Sequence, residues 1–192
     1  MEGVGRMYRD CQTESASKRQ REIERGFMEL LCKNNYDDMT VSWLCQQLQI
    51  PRKAFYRYFS GKDGVLYALI DHTLADFFLM PQTREKAVGT AMGDLELYFI
   101  FWYENKRFLD ALQRNGLAGI LVERANRFAV EEGHLPKQYM RLHPQVRDMA
   151  VAFSVCGLMS MILQWHRTGF SIPPEEMTRL AINLLSRPLI PM

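Results

Sequence analysis

Apolar residues recur at helical spacing along most of the chain. In the segment from Ser17 to Lys33 they lie three or four positions apart, and charged residues occupy the opposite face. The apolar positions of this segment are Ile23, Phe27, Leu30 and Leu31. The pattern predicts a first amphipathic helix, which should end near Lys33 because two asparagines follow it. Residues 1–16 show no usable period and predict a loose N-terminal arm.

Two short helices are predicted after the first one. Either Asp38 or Thr40 can cap the second helix. Its inward positions are Val41, Leu44, Cys45 and Leu48. A break at residues 49–51 follows, and Pro51 has the backbone angle that is preferred in the first turn of a new helix. The third helix is therefore expected over residues 52–59.

The third predicted helix separates apolar positions from cationic ones. On a 3.6-residue period Phe55, Tyr58 and Phe59 share one face, and basic residues lie on the other faces. Tyr56 and Tyr58 are about 200° apart on such a helix, so at least one ring should be exposed. We expect Tyr58 in the core and Tyr56 at the surface.

A long fourth helix is predicted to begin within residues 60–63 and to run to Met80, where Pro81 stops it. At about 1.5 Å per residue it is long enough to join the two halves of the chain. The three preceding helices are short, and a tight turn separates the second from the third. This arrangement describes a helix-turn-helix unit whose last member can enter a DNA major groove.

Local charge favours a DNA partner more clearly than overall charge does. The 192 residues include 24 basic and 22 acidic side chains, and the net charge of +2 is too small to indicate nucleic acid by itself. Between Asp38 and Asp63, however, the chain has no acidic residue. The cations of this segment are Arg52, Lys53, Arg57 and Lys62. Isolated charges are usually solvated, but a carboxylate-free cationic face is typical of phosphate binding.

Other classes of function receive little support from the residues. The four cysteines are far apart and indicate neither a metal site nor a disulfide framework, so a reduced, cytoplasmic setting is expected. The most apolar run, residues 149–163, is interrupted by Ser154, Gly157 and Ser160, which favours a buried helix over a membrane span. We find no nucleophile–base pair, phosphate loop or metal-binding set, and we predict no enzyme, cofactor or metal.

Residues 40–59, TVSWLCQQLQIPRKAFYRYF, followed by Lys62 and Asp63, resemble the signature of the TetR family of transcriptional regulators. The resemblance covers roughly residues 17–66. It implies an all-α protein in which a three-helix helix-turn-helix DNA-binding domain is joined by a long helix to a helical domain for ligand binding and dimerisation. The expected regions are an arm at residues 1–16, a DNA-binding domain at 17–63 and an effector-binding and dimerisation domain at 64–192.

The same resemblance assigns roles to individual side chains. The residues expected to hold DNA phosphates are Thr40, Tyr56, Arg57 and Lys62. Lys62 would do so at the start of the connecting helix, where the helix dipole also favours an anion. Arg52 and Lys53 are the candidates for base edges, and an arginine there could make two bonds to guanine. Phosphate contacts would position the protein, and only the base contacts would specify a sequence.

Four positions depart from the family pattern. Small residues are usual where this chain has Cys45 and Leu48, glycine where it has Gln49, and serine where it has Pro51. A left-handed backbone costs a non-glycine residue about 1 to 2 kcal/mol, so a slightly rearranged turn is expected. Pro51 lacks a hydroxyl and an N–H that could reach a phosphate, which predicts weaker DNA binding unless a neighbour compensates.

The last two helices of the chain predict a dimer. They are expected over residues 145–167 and 174–186. The first is apolar on nearly every side and needs burial on two faces, which a core and a second copy of the chain would provide. Gly157 and Ser160 would allow close approach, and similar proteins dimerise in this way. A dimer presents two reading helices to half-sites about one turn apart, so a short inverted repeat is the expected operator.

The C-terminal half also suggests a ligand, because many related proteins bind a small molecule there. Tyr98, Trp102, Phe128 and Trp165 could line such an effector site, although aromatic residues at helical spacing are also typical of a plain core. The main hypothesis is a ligand-responsive repressor that binds double-stranded operator DNA as a homodimer. One alternative is an activator that depends on a ligand or a coactivator protein. Another is a helical small-molecule-binding protein or enzyme with a vestigial DNA motif.

Overall fold

A computed structural model describes residues 7–80, 91–131 and 141–186. Within these ranges the regular structure is helical, apart from one isolated bridge between Tyr8 and Phe59. The helices are α1 (Glu14–Leu31), α2 (Val41–Gln47), α3 (Arg52–Phe55), α4 (Lys62–Leu79), α5 (Ala91–Glu104), α6 (Lys106–Arg114), α7 (Ala118–Glu131), α8 (Pro144–Arg167) and α9 (Pro174–Ser186). The predicted all-α fold is confirmed.

The segment that precedes α1 is packed against the protein rather than loose. Tyr8 is buried, pairs with Phe59 in an antiparallel bridge and donates its hydroxyl to Asp71 over 2.6 Å. Thr13 caps α1 by accepting the N–H of Ala16, so the helix begins three residues earlier than predicted. The expected loose arm is thus corrected over residues 7–16, because burial of a tyrosine ring and pairing of its hydroxyl stabilise this segment. Residues 1–6 lie outside the described ranges.

The N-terminal helices enclose a core of the predicted apolar residues. Phe27, Leu44 and Phe55 are fully buried, and α1 packs against α4. Gly26 allows the end of α2 to approach α1, since a Cβ atom at this position would lie 2.5 Å from Cδ2 of Leu48. The unusually large Leu48 is therefore accommodated because the facing position on α1 has no side chain.

The third helix is shorter than predicted and ends at Phe55 instead of Phe59. Beyond it the N–H groups of Arg57 and Tyr58 bond to carbonyls three residues back, at 3.3 and 3.0 Å, which tightens the chain into turns. The Tyr58 carbonyl then accepts the N–H of Arg9 over 2.9 Å, and Phe59 pairs with Tyr8. A long-range contact with the segment before α1 thus accompanies the early end of the helix, and local sequence does not encode such a contact.

The C-terminal helices continue from α4, which packs against both α1 and α7. Helix α7 also packs against α8, α9 packs against α5, and α6 contacts α1. The last two helices have the predicted bounds to within one residue. Phe99, Trp102 and Trp165 lie in the core of this half.

Helix α8 has one packed face and one exposed face. Val151, Met159 and Ile162 are buried, whereas Met149 and Phe153 are 73% and 76% exposed. The prediction of a buried helix therefore holds for only one side of α8 in the single chain. By length and composition alone α8 could cross a membrane, which is weak evidence because core helices of soluble proteins meet the same criterion.

Candidate nucleic-acid interface

The hydroxyl of Thr40 caps the first helix of the helix-turn-helix unit. Its Oγ1 accepts the N–H of Trp43 over 3.1 Å, which decides between Asp38 and Thr40 as the cap. Thr40 is exposed, and the cap uses its hydroxyl oxygen only as an acceptor, so the O–H group remains available as a donor. The side chain can therefore hold α2 in place and still donate to an anion.

The turn between α2 and α3 has the left-handed residue that the family pattern suggests, but without glycine. Gln49 has a φ of 53°, so the turn is not rearranged as we expected. The N–H of Ile50 reaches the Cys45 carbonyl over 3.0 Å, and Ile50 is buried. These two interactions offset part of the strain of about 1 to 2 kcal/mol at a non-glycine residue in this conformation.

Three of the predicted DNA-contacting cations lie exposed on and just after α3. They are Arg52, Lys53 and Arg57. Within the described ranges no carboxylate forms an ion pair with any of them. The Arg52 guanidinium lies 6.0 Å from the centre of the Tyr56 ring, which brings a candidate base contact next to a candidate phosphate contact. This surface combines exposed positive charge with the buried rings of Phe55 and Phe59 beneath it.

The two tyrosines of this region divide as the sequence predicts. Tyr58 is 8% exposed and Tyr56 is 44% exposed. Tyr56 contacts the edge of the buried Phe55 ring, with ring centres 5.7 Å apart. The Tyr56 hydroxyl can therefore face a partner while its ring is held by the core.

Lys62 is more constrained than its predicted role requires. Its ammonium donates to the carbonyls of Tyr36 and Asp37, at 3.0 and 3.3 Å, and lies 4.4 Å from the centre of the Tyr36 ring. An ammonium has three N–H donors, so one remains for a phosphate. Burial, followed by the hydrogen bond to Asp63, raises the pKa of Tyr36 far above its ordinary value, so this phenol stays neutral.

Residues before α1 also position the interface, and sequence reasoning missed them. Ser60 bonds the Met7 carbonyl through its N–H and its hydroxyl, at 2.9 and 2.7 Å. Gly64 makes room for this contact, because a Cβ atom there would lie 2.3 Å from the same carbonyl. The glycine in the first turn of a predicted helix was the only local signal of such a close backbone approach.

Three of the four aromatic residues proposed to line an effector site pack against neighbouring side chains in the described structure. Tyr98 and Trp102 contact each other with ring centres 6.3 Å apart, and Trp165 is buried against Phe99. Tyr98 donates to the sulfur of Met159 over 3.0 Å, and burial raises the pKa of its phenol. These three side chains pack as a core, which is the alternative that helical spacing left open.

The fourth aromatic residue, Phe128, lines a cavity of about 290 Å³ between α4, α7 and the segment before α1. Its ring stacks on that of Phe78, with centres 5.7 Å apart. Among the lining residues, Asp71 pairs with Arg124 and accepts the Tyr8 hydroxyl. This volume lies at the lower end of small-molecule sites. Within the described ranges no group of three or more His, Cys, Asp or Glu side chains could hold a metal ion.

Comparison with known proteins assigns the class. A family model named TetR_C_8, described as "Transcriptional regulator C-terminal region", matches residues 93–187. A search of curated proteins found no match. Together with the arrangement of α2 and α3, this family match places the chain among the helix-turn-helix transcription regulators.

Solved structures share the fold at low sequence identity. A TetR-family transcriptional regulator from Streptomyces coelicolor is 21% identical, with a TM-score of 0.51. The match covers 88% of this chain and 80% of the regulator's chain. The repressor AlkX from Dietzia sp. strain DQ12-45-1b is 16% identical with a TM-score of 0.53, covering 87% and 93%. The dihydroxyacetone kinase operon activator DhaS has the same identity and coverage, with a TM-score of 0.55. The chain belongs to the TetR family and is a DNA-binding transcriptional regulator.

Proposed function

We propose that the protein is a ligand-responsive repressor that binds a short inverted-repeat operator as a homodimer. The observation that carries the proposal is the exposed cationic surface on and after α3, which has no carboxylate partner in the described structure. Such a surface repels itself in isolation and is stabilised by a polyanion. The function is binding and regulation, and the proposal assigns no catalytic activity.

Within this surface the side chains have two roles. We propose that Arg52 and Lys53, at the first two positions of α3, contact base edges in the major groove. We propose that phosphates are held by Thr40, Tyr56, Arg57 and Lys62. The contact between Arg52 and the Tyr56 ring supports this division of roles. The Tyr56 ring itself packs against the buried Phe55, so it would hold the Arg52 guanidinium in place at the surface.

The dimer would form through α8 and α9. On α8 the exposed residues Val146, Met149 and Phe153 continue at three- and four-residue spacing into Gly157 and Ser160. A Cβ atom at Gly157 would meet nothing within 4 Å in the single chain, so a second helix can approach there. Leu180 and Leu185 of α9 are also exposed. Covering these apolar side chains with a second copy would remove them from water.

The effector response is supported by the cavity that Phe128 lines. It contacts α7 of the C-terminal half and Tyr8 of the segment that pairs with Phe59, so an occupant would touch both halves of the protein. Phe128→Trp should fill part of this volume and abolish derepression by any compound that acts there. A reporter strain grown with a panel of small metabolites would measure this, with Val130→Ala on the same helix as the control.

Repression is favoured over activation in this proposal, although the fold itself occurs with both. The similar structures include the repressor AlkX and the operon activator DhaS. A promoter fusion in a strain lacking the gene separates the two. Higher reporter activity in the deletion strain supports repression, and lower activity supports activation. We also propose a cytoplasmic location, where operator DNA and free thiols such as those of this chain occur together.

Footprinting of genomic fragments with purified protein tests the proposal directly. We expect protection of an inverted repeat with half-sites about one helical turn apart. Arg52→Ala should reduce discrimination at one base pair by about 1 to 3 kcal/mol, whereas Arg57→Ala should weaken all duplexes alike. Arg25→Ala, an exposed cation on α1, is the control and should change neither. Failure to protect any fragment at low salt would refute the proposed function.

A further inference from the structure

We propose that Asn115, which belongs to the C-terminal half, is a positioning residue for the DNA-contacting Lys62 and for the loop that leads to Thr40. The inference rests on the proposed function, because it takes Lys62 and Thr40 as phosphate contacts. Asn115 follows the last residue of α6, far from α3 in sequence. No part of the helix-turn-helix pattern includes it.

The side chain of Asn115 joins two parts of the chain. Its Oδ1 accepts the N–H of Tyr36 over 2.7 Å. Its Nδ2 donates to the Ala111 carbonyl of its own helix over 2.8 Å and to the Leu31 carbonyl at the end of α1 over 3.3 Å. The side chain is therefore fixed on α6 and bonded to both ends of the segment between Leu31 and Tyr36.

Tyr36 carries this constraint to the interface. Its carbonyl accepts both the Lys62 ammonium, at 3.0 Å, and the N–H of Met39, at 3.1 Å. Its hydroxyl donates to Asp63 in the first turn of α4. Met39 is buried and directly precedes the cap residue Thr40. One residue thus links α6 to the start of α4 and to the start of α2.

The geometry explains why Asn115 would matter to DNA. Two of the three Lys62 donors are oriented by the loop carbonyls, so the direction of the third follows the position of the loop. Without Asn115 Oδ1 the Tyr36 N–H, on a buried residue, loses its acceptor, and the loop would shift to find another. A displacement of the carboxyl end of α6 would therefore also shift Lys62, through the bonds from Asn115 to Tyr36 and from Lys62 to Tyr36.

Operator binding by single and double variants tests the positioning role. Asn115→Ala should weaken operator binding about 5- to 10-fold. Combined with Lys62→Ala, it should cost less than the product of the two single losses, because the part of its effect that acts through Lys62 is already lost. Arg107→Ala is the matched control. It removes the exposed ion pair with Glu29 between α6 and α1 without touching Tyr36, and should change affinity less than about twofold.

Amide hydrogen exchange supplies a readout that needs no DNA. In Asn115→Ala the Tyr36 amide should exchange at least about fivefold faster, and in Arg107→Ala it should not. Asn115→Ser provides a variant that should fold well, because its hydroxyl can still bond the Ala111 carbonyl but is too short for Tyr36. It should reproduce both effects.

The outcomes separate this inference from the proposed function. Multiplicative losses in the double variant, or unchanged Tyr36 exchange in both Asn115 variants, would overturn the positioning role even if the wild type binds its operator. Conversely, a wild type that binds no duplex refutes the proposed function, and the inference that depends on it falls as well. The exchange measurement would then still show whether Asn115 holds Tyr36.

Discussion

The surface around α3 and the outer face of α8 are both exposed in the single chain, yet their chemistry is opposite. The first carries Arg52, Lys53 and Arg57, whereas the second carries Val146, Met149 and Phe153. Charged side chains are well solvated in the free protein. They bind a polyanion because this binding releases the counterions that the polyanion holds. Apolar side chains are unfavourable in water whenever they are uncovered. This difference is what the proposed function requires, with an intermittent partner for the α3 surface and a permanent one for the α8 face.

Both surfaces are supported from behind by packed residues. Phe55 and Phe59 hold the cationic surface, and Val151, Met159 and Ile162 hold the outer face of α8. Substitutions on the exposed side can therefore change partner binding without disturbing the fold. The following changes test the comparison, from the largest expected effect to the smallest.

Phe153→Arg should have the largest effect, because it would place a charge from each subunit in an apolar interface. We expect dimer association to weaken at least about 100-fold, which corresponds to about 3 kcal/mol. Sedimentation velocity over a range of concentrations would measure it. Val130→Arg replaces an exposed apolar residue on α7 and should leave the dimer intact. An undisturbed dimer in Phe153→Arg would assign the α8 face to a different partner.

Arg57→Ala should weaken DNA binding while leaving the dimer unchanged. Loss of one phosphate contact should lower affinity for all duplexes by about 5- to 10-fold and reduce the salt-dependence slope by about 1. Fluorescence anisotropy at several salt concentrations would provide both values. A loss confined to one operator sequence would mean that Arg57 reads bases, contrary to the roles proposed above.

Gly26→Ala tests how the cationic surface depends on its support. The added methyl group would meet Cδ2 of Leu48, and this clash should outweigh the preference of a helix for alanine over glycine, so we expect a net loss of about 1 kcal/mol in the free energy of unfolding. Adding Leu48→Ala should make the two changes non-additive, since it removes the atom that clashes. Chemical denaturation of the four proteins would measure the coupling, and simple additivity would exclude the contact as the cause.

Gln49→Gly should have the smallest effect and the opposite sign. It relieves the left-handed strain at a φ of 53°, at some cost in chain entropy, so we expect a stabilisation of up to about 1 kcal/mol. Thermal unfolding would show a rise of a few degrees. A lower unfolding temperature would indicate that the Gln49 side chain stabilises the fold by more than the backbone strain destabilises it.

Much of the helical fold could be predicted from the sequence. The periodicity located the last two helices to within one residue, and the spacing of Tyr56 and Tyr58 separated the exposed ring from the buried one. These predictions succeeded because helix periodicity and capping depend on neighbours within about four positions. The carboxylate-free cationic segment could be identified for the same reason, since it is a property of consecutive residues.

Contacts between distant residues were decided only by the tertiary structure. The pairing of Tyr8 with Phe59, which accompanies the early end of α3, joins residues 51 positions apart. The bond from Asn115 to Tyr36 joins residues 79 positions apart. The packing of Tyr98, Trp102 and Trp165 away from the cavity has the same origin. Periodicity shows which side of a helix is apolar, but the packing of the whole chain determines which element covers that side.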